Sequence, residues 1–422
     1  MHATQRASRL LRRSAAGAAA ALFLALPARA DDWPQFRGPL GRGVSAEKDV
    51  PLEWGKDRNV RWRSALEGVG NGSPVVSNGR VFVTAASDQG RKRSLVCLDR
   101  MTGKALWTRT VEFAGVEPTQ PENPYCGSTP CADGKRVVVW HSSAGLHCYD
   151  FEGKPLWSRD LGKFDHMWGY GSSPILLEDR VILNAGPGDR SFLVAIGKES
   201  GEVLWKAEEP GGNSKEWVGS WSSPLVREAA GRKEILVAWP TRVKAHDPAT
   251  GKTLWSCGGL GKLAYADVAL GDGIGVATGE DEAGDSIGFR LGGDGDGDVT
   301  STHRLWARPR PLEVGTGVIV QGRLWTVDNA GIIRCTEAGT GKELLQERSP
   351  AGPAWSSMVL AAGRVYFTAK TGETVVFRPD PKAFAVLAVN ALGEPSNSTP
   401  AVSDGEVFLR TQKAVTCISE KR

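Results

Sequence analysis

Few side chains in this sequence are placed to do chemistry, and the acidic ones come first. The stretch 292–298 (GGDGDGD) sets Asp294, Asp296 and Asp298 at the alternate spacing of a calcium loop. The twelfth position of such a loop carries a bidentate acid and here holds Leu305, so the stretch reads as a Gly/Asp-rich turn and a weak metal candidate. Cys126 and Cys131 (YCGSTPC) could form a local disulfide in an oxidising compartment. With seven cysteines, at least one thiol stays unpaired or bonds another molecule. Gly251-Lys252-Thr253 mimics the end of a phosphate loop, but position 246 is His and no helix follows, so it is a hairpin turn. The six histidines are scattered, and HExxH is missing. No catalytic residue is predicted.

The elements that must position these groups are repeats. A phrase ending in Leu-Trp recurs as TGKALW at Trp107, EGKPLW at Trp157, SGEVLW at Trp205 and TGKTLW at Trp255. THRLW at Trp306 and TGKELL at Leu345 are decayed copies. Upstream of each phrase a small residue and a proline open an apolar run: Ser73-Pro74, Thr129-Pro130, Ser173-Pro174, Ser223-Pro224 and Thr399-Pro400. Weaker equivalents are Ala266-Asp267, Thr316-Gly317 and Ser357-Met358. These eight starts lie 41–56 residues apart. Within a unit, short Val/Leu/Phe-rich runs alternate with Gly, Asn and Asp turns, the pattern of consecutive antiparallel strands. Four strands per unit and eight units predict an all-β, eight-bladed β-propeller.

Blades diverge outward, so a large flat residue at one outer-strand position would fill the widening gap. That assigns Trp62, Trp107, Trp157, Trp205, Trp255 and Trp306 a structural role. Cys97, Cys148, Cys335 and Cys417 share another repeat position, filled elsewhere by Ala195 and Ala245, which marks a small buried slot. The last unit supplies only three strands, and residues 59–63 (NVRWR) match the missing outer strand, so the N-terminal strand should close the last blade. A second aromatic set sits just ahead of the inner strands at varying offsets: Tyr125, His166, Trp168, Tyr170, Trp217, Trp221, Tyr265 and Trp355. Concave aromatic surfaces with few polar groups bind ligands, so these are the candidate ligand-binding residues at the channel mouth.

Composition bounds the rest. Hydrophobic content of 41% and charged content of 24% exclude wholesale disorder. Residues 1–30 hold five arginines and no acid, and without them 47 bases face 48 acids, so the chain offers no nucleic-acid footprint. The same thirty residues have a basic start, the apolar run 15–26 and Ala28-Arg29-Ala30, the plan of a signal peptide cleaved near Ala30. The expected organisation is a signal peptide (1–30), an N-terminal extended segment (31–58) and the propeller (59–422), soluble and periplasmic or extracellular.

The repeated Asp-x-x-Thr-Gly-Lys-x-Leu-Trp phrase resembles the PQQ-type β-propeller repeat of quinoprotein alcohol dehydrogenases and BamB-like proteins. Residues 32–39 (DWPQFRGP) look like the start of many exported bacterial members. In the dehydrogenases, resemblance implies a pyrroloquinoline quinone held between a Trp and a disulfide of adjacent cysteines, with Ca²⁺ and an Asp base. This sequence has no adjacent cysteine pair. The expectation is therefore an exported, non-catalytic binding scaffold with protein or cell-envelope partners and no cofactor. The alternatives are a PQQ- and Ca²⁺-dependent dehydrogenase with an atypical site, and a polysaccharide-binding propeller.

Overall fold

The computed structural model describes residues 32–209, 217–229, 231–280, 285–291 and 296–420. The predicted signal peptide, Glu216 and Asp294 lie outside them. The first repeat folds as a four-stranded antiparallel sheet of β2 (Val75–Ser77), β3 (Arg80–Ser87), β4 (Lys92–Asp99) and β5 (Ala105–Glu112). Its inner strands are almost wholly buried, whereas β5 alternates between exposed and half-buried positions, as an outermost strand must. The β4–β5 turn is set by Asp99, whose Oδ1 accepts the N–H groups of Met101 and Thr102 at 3.1 and 2.8 Å. Gly103 then supplies the positive φ of +69°.

Seven further sheets of the same plan follow, so the molecule is an eight-bladed propeller. β1 (Val60–Ala65) closes the ring by pairing with Ala414–Ser419, the third strand of the last blade, with Ser64 opposite Val415. The apolar clusters lie mainly between neighbouring blades: one joins Val138 and Cys148 of blade 2 to Val181 and Val194 of blade 3. Packing of this kind leaves the axis open.

The blade tryptophans do more than fill a wedge. The indole N–H of Trp107 donates to Phe151 O at 2.8 Å, that of Trp157 to Lys198 O at 2.9 Å and that of Trp62 to Arg100 O at 2.7 Å. Each bond stitches an outer strand to the turn of the following blade. A glycine of that turn lies on the indole: a Cβ at Gly153 would stand 2.7 Å from Trp107. In register, each such Trp faces the small slot, with Cys97 opposite Trp107, Cys148 opposite Trp157 and Ala195 opposite Trp205. Trp255 departs from the pattern because blade 5 sets Gly297–Asp298 and the short helix Thr300–His303 where its neighbours make a tight turn. Its N–H instead donates to Glu234 Oε2 at 3.2 Å, and Gly297–Asp298 pairs in parallel with its strand.

Residues 32–44 cross one face of the ring. Trp33 exchanges backbone bonds with Val76 in blade 1, and Pro34 O accepts the N–H of Ala132 in blade 2. Arg37 Nη2 donates to Gly317 O in blade 6 at 2.7 Å, and Gly43 O accepts the N–H of Leu360 in blade 7. The segment thus spans the axis and carries Phe36 into it.

Candidate ligand site on the axis

Eight residues at the starts of the inner strands form a closed ring of hydrogen bonds. The N–H of Ser73 donates to Thr129 Oγ1 at 2.8 Å, Thr129 to Ser173 Oγ at 3.0 Å, and Ser173 to Ser223 Oγ at 3.1 Å. Ser223 donates to Asp267 Oδ1 at 2.6 Å, Asp267 to Thr316 Oγ1 at 2.9 Å, and Thr316 to Ser357 Oγ at 3.0 Å. Ser357 donates to Thr399 Oγ1 at 2.9 Å, and Thr399 returns to Ser73 Oγ at 3.0 Å. Sequence reasoning saw these positions only as small residues before a proline; the signal it missed is that all but one carry a hydroxyl. It also misplaced the fifth pair by one residue. The ring member is Asp267, not Ala266, because only a side-chain oxygen at that point can accept the N–H of Ser223.

The ring lies around a cavity of about 330 Å³. Phe36, carried by residues 32–44 across one face, lines it on that side. Toward the other face it is walled by Trp168, Trp221, Tyr265 and Trp355, with Asn71, Asn123, Asn329 and Asn397 between them. A two-residue parallel pairing of Gly219–Ser220 with Leu263–Ala264 sets Trp221 and Tyr265 side by side, their rings stacked at 5.0 Å and 29°. Trp221 Nε1 donates to Gly169 O at 2.9 Å. Trp355 Nε1 donates to Asn329 Oδ1 at 2.9 Å, and Lys370 Nζ sits 4.3 Å over its ring. Residues 120–123 arch across the mouth: Glu122 O accepts from both Asn71 and Asn397, and its carboxylate accepts from Lys370 at 3.0 Å.

Of the aromatic residues singled out from sequence, the structure gathers Trp168, Trp221, Tyr265 and Trp355 on the cavity wall. Trp217 is 54% exposed on the rim, edge-on to Trp168 at 5.8 Å. His166 is buried behind the wall, edge-on to Trp221 at 4.9 Å. Tyr170 is buried between blades, its hydroxyl accepting the N–H of Cys126 at 3.0 Å. Tyr125 lines a separate apolar hollow with Val69, Pro121 and Pro124. The amides, Glu122 and Phe36 were not predicted, because the loops that carry them have no place in the repeat.

Reactive groups are held in check by burial. His166 is pushed down to about 4 and Cys126 up to about 11, both chiefly by desolvation, so neither is a base or thiolate near neutrality. The local disulfide considered between Cys126 and Cys131 is not formed. Cys126 turns its sulfur toward His141 Nδ1 at 3.8 Å, while Cys131 is packed into the blade 2 core beside Val138 and Cys148. Asp298 is engaged by the N–H and hydroxyl of Thr300. Among the described residues no group of three or more His, Cys, Asp or Glu is placed to hold a metal ion. The charges on the cavity lining are the carboxylates of Glu122 and Asp267, with Lys370 bound to the first and the buried Arg37 charge acting on the second from behind the wall. With acids and no cation on the lining itself, and no metal-holding group among the described residues, the wall fits poorly to pyrroloquinoline quinone, a polycarboxylate.

Comparison with known proteins agrees with the architecture. A family model described as "Outer membrane protein assembly factor BamB" matches residues 53–124 and 91–258. The fold is similar to a europium-containing methanol dehydrogenase, at 12% identity and TM-score 0.66, over 90% of this chain and 89% of that one. It is also similar to BamB from Moraxella catarrhalis, at 13% identity and TM-score 0.54, over 89% of this chain and 98% of the other. The computationally designed Ika8 protein matches at 14% identity and TM-score 0.58, over 84% and 98% of the two chains. No curated protein sequence matches.

Proposed function

Because the chain belongs to the PQQ-like β-propeller superfamily, whose members range from assembly factors to dehydrogenases, we propose that it is a non-catalytic binding propeller of the cell envelope. The observation that carries this reading is the axial cavity: aromatic and amide walls over a ring of hydroxyls, with no paired nucleophile and base. Aromatic and amide walls of this kind suit recognition of a ligand. Export is supported by the plan of the first thirty residues, and no helix among the described residues is long and apolar enough to cross a membrane. Protein partners are supported by the assembly factor in whose family model the chain falls.

The dehydrogenase reading is tested directly. The exported chain, beginning at Asp31, is mixed with pyrroloquinoline quinone and Ca²⁺ and assayed for dye-linked oxidation of primary alcohols. No dye reduction above the protein-free control is expected. Turnover that tracks the amount of protein would overturn the non-catalytic reading.

A further inference from the structure

We propose that the axial cavity binds the free end of a neutral glycan chain; this rests on the binding-propeller reading and names its ligand. The wall offers aromatic faces beside amides, the arrangement that matches a molecule with C–H faces and hydroxyl edges. Two polar atoms on the wall, Trp168 Nε1 and Asn397 Oδ1, are buried without a hydrogen-bond partner. Both are closed off from solvent, so a ligand hydroxyl could meet them only once the side chains turn toward the cavity; leaving both unmet is costly. Deeper in, Ser73, Thr129, Ser173, Thr316, Ser357 and Thr399 each accept one backbone N–H, which leaves their hydroxyl protons to donate.

Charge narrows the class. Glu122 is neutralised by Lys370, no cation lines the cavity itself, and Asp267 accepts a backbone N–H from Ser223 with the buried Arg37 charge behind it. An acidic sugar would bring its carboxylate against the Asp267 carboxyl with no cation on the lining to receive it, so the site favours neutral residues. Topology narrows the mode of binding. The segment 32–44 crosses one face of the ring and brings Phe36 to the cavity, so a chain enters from the opposite face. A cup of about 330 Å³ lies at the small end of the range for ligand pockets, and accommodates the tip of a chain, not its length.

The experiment is a glycan array of linear neutral, linear acidic and cyclic oligosaccharides, probed with the chain from Asp31 onward, with tryptophan-fluorescence titration of each hit. Binding to linear neutral glycans is expected, with acidic chains and a cyclic glucan, which has no free end, at least about ten-fold weaker. Trp168→Ala should weaken binding at least about ten-fold, a loss of about 1.4 kcal/mol, with an unchanged melting temperature. If that variant does not fold, Trp355→Ala must show the same loss. Absence of binding to every linear neutral glycan overturns the proposal, as does equal binding of the cyclic glucan or an acidic chain. A peptide library captured instead, and released by Trp168→Ala, overturns the glycan while leaving the binding propeller standing. Quinone-dependent alcohol oxidation removes both.

Discussion

At Gly153 one hydrogen in place of a methyl group decides whether blades 1 and 2 can meet. The residue has φ of +82°, and a Cβ there would press on the Trp107 indole at 2.7 Å. Gly363 has a similar φ of +70° with nothing within 4 Å of the same position. Gly363→Ala should therefore cost only the strain of the left-handed backbone, about 1–2 kcal/mol. Gly153→Ala adds overpacking of about 1–3 kcal/mol. Denaturant unfolding of the two variants measures the difference, and equal losses would show that the indole gives way freely. The sequence carried half of this. Glycine in the Thr-Gly-Lys phrase reads as a turn residue, and the tryptophan reads as a filler between blades. That the two touch depends on how one blade is set against the next, which no spacing within a repeat encodes.

At the scale of elements, β1 and the segment ahead of it settle the ring. Repeat counting and the NVRWR match located the closing strand, because both are patterns along the chain. The path of residues 32–44 was not legible: DWPQFRGP has no period, and its bonds go to blades 1, 2, 6 and 7, up to 317 residues away, from Gly43 to Leu360. Removing residues 59–66 strips the last blade of its outer strand and exposes the edge of Ala414–Ser419. Thermal unfolding followed by circular dichroism should show a melting temperature lower by about 10 °C or more, with a shift toward oligomers by size exclusion. A monomer with the original melt would mean that closure contributes nothing.

For the whole molecule, the hydrogen-bonded ring at the axis is the feature that all eight blades share, and Asp267 makes it sensitive to pH. Burial raises the Asp267 carboxyl to about 6 from its ordinary 3.8, against the pull of the Arg37 charge and the Ser223 N–H. A pKa higher in the folded state favours folding fully below about 4, and that contribution is lost as pH rises through 6. The span corresponds to about 3 kcal/mol. Asp267→Asn keeps an oxygen for Ser223 and cannot ionise, so its stability relative to the parent should climb between pH 4 and pH 7. Urea titrations across that range check it; a constant difference would mean that Asp267 does not titrate there. Closure of the last blade by β1 has a consequence for biogenesis. Ribosomes make this strand long before its three companions, so the nascent propeller must keep one sheet margin waiting until those strands emerge. A permuted gene starting at residue 131, with the old termini linked, would finish that blade in mid-translation.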